Sequence, residues 1–138
     1  MLEIENHQIN PKMYSPLVLA YIGDVVYELL VREQIVLRAN MPVNQLHCHA
    51  VEYVCASAQS RAIELIMDLL SEEEVNIYKR GRNANGNHVP KNASPQEYRR
   101  ATGLEALIGY LYLQKRMDRI KELFAIIWNK LIPTNQES

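Results

Sequence analysis

Two acidic residues in this chain sit where acids are expensive. Asp24 lies in the middle of a long apolar stretch, residues 17–36, beside Gly23 and with Ala20 one helical turn back. Glu105 lies in a second apolar block, residues 101–113, with Ala101 one turn before it and Gly109 one turn after. A lone carboxylate in an apolar helix is costly unless something pairs with it. The helical neighbours of Asp24 offer nothing: positions 20, 21 and 27 are Ala, Tyr and Tyr, and position 28 is another acid. Glu28 has its own partner in Arg32, four residues on, in the favourable Glu-before-Arg order. Asp24 therefore needs a counter-charge from elsewhere. A divalent cation is the chemistry that fits: Mg²⁺ keeps part of its hydration shell and takes one or two carboxylates beside a phosphate. The bland alternative, an acid that caps a neighbour or pairs with arginine, suits either residue alone. Two such acids with small neighbours, together with a basic segment, favour the cation.

That basic segment spans residues 79–100. It holds Lys79, Arg80, Arg82, Lys91, Arg99 and Arg100 against a single acid, Glu97, although the whole chain carries a net charge of −1. Such asymmetry is expected of a localised polyanion contact. Arg and Asn on a Gly-bearing stretch suit phosphate, so Asn83 and Asn92 join the candidates. Residues 79–93 read as an exposed basic loop.

His47, Cys48, His49 and Cys55 invite a zinc reading, but neighbours at i and i+2 face different ways on a helix and no zinc spacing is matched. Cys48 and Cys55, seven apart, lie about 10 Å from one another on a helix, too far for a disulfide, and read as buried small apolar residues. The tyrosines at 21, 27, 110 and 112 lie in apolar helices and read as core.

The elements that must position the acids are all helical. Residues 1–14 make an N-terminal arm. Ser15-Pro16 is an N-cap followed by proline at the first helical position, opening a helix to about residue 38. Apolar on nearly every side, that helix belongs in the core. Helices follow over about 42–56 and 57–70, with Ser57 as one possible fresh cap. Ser71 and Glu74 form a capping box, as do Ser94 and Glu97. The helix from 95 runs to about 115. Ile120, Leu123, Phe124, Ile127, Trp128 and Leu131 mark a last amphipathic helix, stopped by Pro133 before a frayed tail over 133–138. No stretch alternates long enough for a strand. The fold class is all-α: one domain over 1–138, of six to seven helices. Hydrophobic residues make up 48% and charged residues 22%, as in soluble proteins. The N-terminus does not read as a signal peptide, and no apolar run approaches the ~18 residues of a membrane span, so no membrane partner and a cytoplasmic location are expected.

Tyr21-Ile22-Gly23-Asp24-Val25-Val26-Tyr27-Glu28 resembles the signature helix of the ribonuclease III family, and Leu104-Glu105-Ala106-Leu107-Ile108-Gly109 resembles that family's second acidic motif. The intervening stretch, from Arg80-Gly81-Arg82-Asn83-Ala84 through Pro90-Lys91-Asn92 to Tyr98-Arg99, is similar to the compact Mini-III subgroup. The resemblance runs from about residue 15 to 130. It implies a single ribonuclease III-type endonuclease domain acting as a homodimer on double-stranded RNA. Asp24 and Glu105 would be the catalytic, metal-binding acids, with Mg²⁺ as cofactor and Mn²⁺ as a substitute. The implied reaction is phosphodiester hydrolysis leaving a 5′-phosphate and a 3′-hydroxyl. For the subgroup the implied substrate is the large-subunit (23S) ribosomal RNA precursor, with a ribosomal protein as possible helper. RNA-binding would fall to Lys79, Arg80, Arg82, Asn83, Lys91, Asn92, Arg99 and Arg100. Two departures stand out: where longer family members have a Glu four residues before the Asp, this chain has Ala20, and where they have an Asp three before the Glu, it has Thr102. Two other classes fit the residues less well: an all-α metal-dependent nucleotide phosphohydrolase, and a non-catalytic structured-RNA-binding module.

Overall fold

The computed structural model describes residues 9–84 and 94–132. The N-terminal arm expected over 1–14 is thus covered only from residue 9, the loop expected over 79–93 only to residue 84, and the tail expected over 133–138 lies outside the described residues. Among them are six α-helices and no strand, in agreement with the all-α expectation. They are α1 (Pro16–Arg38), α2 (Val43–Val54), α3 (Ala56–Ile66), α4 (Glu72–Arg82), α5 (Pro95–Leu113) and α6 (Met117–Leu131), with short 3₁₀ turns at Pro11–Met13 and Met67–Leu69. No helix among the described residues is long and apolar enough to cross a membrane.

The chain's own chemistry sets most of the boundaries. Ser15 Oγ accepts the Val18 backbone N–H at 3.2 Å and Pro16 begins α1. At α4 both halves of the capping box are made: Ser71 Oγ accepts from Glu74 N at 3.1 Å, and Glu74 Oε1 accepts from Ser71 N at 2.9 Å. Only one half exists at α5, where Ser94 Oγ accepts from Glu97 N. α5 stops at Leu113, two residues before the expected end, because Lys115 takes a left-handed backbone (φ 62°) and turns the chain into α6. The break between α2 and α3 falls at Cys55, whose extended backbone (ψ 162°) interrupts the helix, rather than at Ser57.

The helix buried on all sides is α5, not α1. Ala101–Leu104 and Ala106–Leu111 are all buried. Small residues at 101, 102, 103, 106 and 109 let α1, α3 and α4 close onto α5. α1 instead buries one face, through Leu19, Val26, Tyr27, Leu30, Val31 and Ile35, and leaves the other in solvent. Leu17, Val18, Tyr21, Val25, Leu29, Val36 and Leu37 are exposed, and Asp24 with them. Tyr21, read as core from the sequence, is 80% exposed. The reason is periodic: residues 17, 21, 25 and 29 fall four apart on one stripe, and nothing among the described residues covers it. Tyr110, by contrast, is buried, its hydroxyl donating to Glu73, and Tyr112 is half-buried.

α6 is fixed to the rest by a shielded ion pair. Arg119 donates to Glu74 from Nε and Nη2, each at 2.9 Å, and to the Leu69 carbonyl at 2.8 Å. Glu74 is buried, and the Arg119 hydrogen bonds hold its carboxyl below the usual carboxylate range despite that burial. A bidentate pair with its remaining donors satisfied is the form in which such a buried charge is tolerated.

Candidate active site

The two acids meet because α1 and α5 cross backbone against backbone. A Cβ on Gly23 would lie 1.8 Å from the Glu105 carbonyl oxygen and 2.7 Å from Gly109 N. A Cβ on Gly109 would lie 1.9 Å from the Leu19 carbonyl oxygen. No side chain fits at either position, so the helices approach as closely as their peptide groups allow. Asp24 follows Gly23 directly, and Glu105 is itself one of the residues against which Gly23 packs. The crossing therefore delivers one carboxylate from each helix to the same place, Asp24 from the solvent side and Glu105 from the half-buried side.

Their proximity is visible in the chemistry of Glu105. Its pKa is pushed up to about 8, first by burial, then by the neighbouring Asp24 charge, with which it is close enough to share a proton. The Gln59 side-chain amide opposes the shift as a hydrogen-bond donor. Among the described residues no arginine pairs with either acid. The pair thus presents two oxygen donors, one exposed and one half-buried, side by side. No group of three or more His, Cys, Asp or Glu placed to hold a metal gathers anywhere among the described residues, at this pair or beyond it. Two carboxylates with the rest of the shell left to water suit Mg²⁺, which needs few protein ligands. Thr102, one turn before Glu105's neighbour Ala106, donates its hydroxyl to the Tyr98 carbonyl at 3.0 Å.

The basic segment is less uniform than the sequence suggests. Lys79, Arg80 and Arg82 lie on α4 rather than in a loop, because that helix continues to Arg82 while Gly81 packs against Gly103 and Ala106. Arg80 donates to the carbonyls of Lys12 (3.4 Å) and Tyr14 (3.2 Å), holding the chain that leads into α1. Arg82 lies over the Tyr78 ring, 5.6 Å from its centre, and donates to Asn83 Oδ1 at 3.2 Å. Arg100 pairs with Glu64 at 2.9 Å. Lys79, Asn83 and Arg99 are exposed, and Lys91 and Asn92 lie outside the described residues.

The cysteine expectation needs correcting: Cys48 is exposed and Cys55 half-buried. α2 buries only Ala50 and turns His47, Cys48 and His49 outward. Gln59, which opposes the Glu105 shift, is the residue that sequence reasoning did not assign to the site, and no local sign in the sequence marked it.

The chain belongs to the ribonuclease III family, since the Ribonuclease III domain matches residues 17–116 and contains both acids and the crossing between them. Within that family its relatives are Mini-ribonuclease 3 enzymes. That of Thermoanaerobacter sp. (strain X514) is 53% identical over 112 residues, covering 81% of this chain and 79% of the relative. That of Symbiobacterium thermophilum is 47% identical over 114 residues, covering 83% and 88%. A crystal structure of a protein from Fusobacterium nucleatum shares the fold with a TM-score of 0.79 and 34% identity, over 86% of this chain and 98% of that one. The protein is accordingly an endoribonuclease.

The raised Glu105 pKa has a measurable consequence. An unfolded glutamate titrates near 4.3, so between there and about 8 the folded chain holds a proton that the unfolded chain has released. This contribution to stability is complete below the lower value and is lost as pH rises through about 8. Thermal unfolding of the ion-free protein should therefore show Tm falling between about pH 5 and pH 8.5 relative to Glu105→Gln, which has no carboxyl to titrate. Parallel Tm curves for the two proteins would contradict the shift.

Proposed function

We propose that this endoribonuclease hydrolyses double-stranded RNA with Mg²⁺ held by Asp24 and Glu105, leaving a 5′-phosphate and a 3′-hydroxyl. The observation that carries the reading is the convergence of these two acids, from helices 81 positions apart in sequence, at a crossing within a ribonuclease III domain. When bound, Mg²⁺ supplies the Lewis acid that offsets charge on the phosphoryl oxygens and makes a water nucleophilic; Mn²⁺ can take its place. Glu105 would hold the ion from the half-buried side of the crossing, where few waters compete for it. Asp24, on the solvent side, faces the approaching phosphodiester.

Recognition is assigned to phosphates and duplex shape, since the A-form major groove hides its bases from side chains. Lys79, Arg82, Asn83 and Arg99 on the described surface, with Lys91 and Asn92, would contact the backbone, while Arg80 and Arg100 act by holding the surface in place. By its resemblance to the Mini-III subgroup, the substrate would be a 23S ribosomal RNA precursor in the cytoplasm, presented by a ribosomal protein.

The exposed face of α1 supports a homodimer. Leu17, Tyr21, Val25 and Leu29 make a contiguous apolar stripe of the kind that marks an interface. Beyond it, Ile35, Val36, Val43, Leu46 and Ala50 line an apolar groove of about 650 Å³ between α1 and α2. A stripe on one helix pairs with its own copy about a two-fold axis, and Asp24 lies between Tyr21 and Val25 on that helix, so such pairing puts two sites on one assembly.

Two experiments test the reading. Asp24→Asn and Glu105→Gln, which change charge but hardly volume, should each abolish Mg²⁺-dependent cleavage of duplex RNA while the circular-dichroism melt stays cooperative. Cleavage at the wild-type rate by either variant would overturn the assignment. In sedimentation, the wild-type chain should run at twice its chain mass and Tyr21→Glu at its chain mass; a monomeric wild type would remove the dimer.

A further inference from the structure

α5 is gripped from a second side by the same means that seat α1 on it. Gly81, in the last turn of α4, packs so closely that a Cβ there would lie 2.7 Å from Ala106 Cβ and 3.0 Å from Gly103 Cα. On α5, a Cβ at Gly103 would lie 2.6 Å from Cδ1 and Cε1 of the Tyr78 ring. The two helices thus close through glycines, and the buried Tyr78 ring fills the space that residue 103 leaves empty. Arg82 lies over that ring, its guanidinium carbon 5.6 Å from the ring centre, within the range of a cation–π contact. Its Nε donates to Asn83 Oδ1 at 3.2 Å. A guanidinium has five N–H donors. One face and one donor are held here, and the rest of the fork stays available to an outside acceptor. Lys79 and Arg99 stand exposed, whereas Arg82 is half-buried with its plane set by an aromatic ring. Arg82 follows Gly81, and Glu105 precedes Ala106. The cation and the half-buried acid are therefore indexed to one stretch of α5, residues 102–106.

We propose that Arg82 sets which phosphodiester of the duplex is cut: it takes a backbone phosphate at a fixed offset from the scissile one, and Tyr78, seated on Gly103, is the positioning residue that fixes its guanidinium. This rests on the duplex-cleavage reading above and goes beyond it by giving one cation the task of register. Phosphate contacts fix a protein's register on a duplex without reading its bases. A contact can do so only if it is rigid relative to the reacting centre. A long exposed side chain follows the RNA to several positions. A planar guanidinium stacked on a buried ring, beside the glycine that seats α4 on the helix of Glu105, does not. The purely structural alternative is that Arg82 only covers Tyr78 and ends α4. In that case it has no bearing on where the RNA is cut.

The test is cleavage of an end-labelled RNA duplex of fixed sequence by the full chain with Mg²⁺, read as a product ladder. The salt dependence of duplex binding is measured alongside, without the ion. Wild type should cut at one preferred bond. Arg82→Gln should spread the cuts over neighbouring bonds and lower the salt slope of binding by about one. Arg82→Lys keeps the charge but not the planar stack, so its slope should match wild type while its cuts spread. Tyr78→Leu should behave as Arg82→Lys, and Tyr78→Phe, which keeps the ring, as wild type. A loss of stability lowers the amount of product but does not move the cut, so the ladder separates positioning from support of the fold. Arg82→Lys carries the test if Tyr78→Leu fails to fold. A wild-type ladder in both Arg82→Gln and Arg82→Lys overturns the register role while leaving cleavage at Asp24 and Glu105 standing. Wild-type products scattered over many bonds overturn it too. No Mg²⁺-dependent cleavage of duplex RNA by the wild type overturns the nuclease reading itself, and this inference with it.

Discussion

The contact on which the rest of the structure depends is the approach of α1 to α5 at Gly23 and Gly109. Ordinary helix pairs are held 8–10 Å apart by their side chains; here neither glycine leaves room for even a methyl group. That closeness has two consequences. It buries a long stretch of α5, around which α3, α4 and α1 assemble. It also brings the carboxylate that follows Gly23 beside the one on α5. Packing and chemistry thus share one set of positions, and a larger residue at either glycine would disturb both.

The crossing stores electrostatic tension. Burial and the Asp24 charge together push Glu105 to hold a proton at neutral pH. Elsewhere the fold treats buried acid differently: Glu74 is as enclosed as many core residues, yet Arg119 meets both of its oxygens and keeps it ionised. One acid is neutralised by the protein, and the other is left for something external. This contrast between two glutamates of the same chain argues for a cation site more directly than the acidity of either. In an endoribonuclease, a cation that answered the pair would also be the group to meet the charge of a phosphodiester.

Much of this was legible in the sequence because it is encoded locally. Ser15-Pro16, the Ser71 capping box and the period of α6 depend on residues within a few positions of one another, and each appears in the structure as read. Asp24 and Glu105 could also be singled out, since an acid between apolar neighbours stands out against any helical pattern, and the structure brings the two side by side. What could not be read was set by contacts distant in sequence. α1 and α5 are similarly apolar, and only the small residues along α5 decide which is enclosed and which presents Tyr21, Val25 and Leu29 to solvent. The chain breaks at Cys55 without glycine or proline to announce it. Lys79 to Arg82 continue a helix because Gly81 finds Gly103 across the interface. Gln59 sits in an unremarkable amphipathic helix, and its relation to Glu105 exists only once α3 lies on α5.

The most direct test of the account is anomalous scattering from crystals of the wild-type protein soaked in Mn²⁺. The account predicts a Mn²⁺ peak within coordination distance of a carboxylate oxygen of both Asp24 and Glu105, at the α1–α5 crossing. Ordered manganese bound to only one of these residues, or a crossing with both side chains well resolved and turned away from each other, would contradict it.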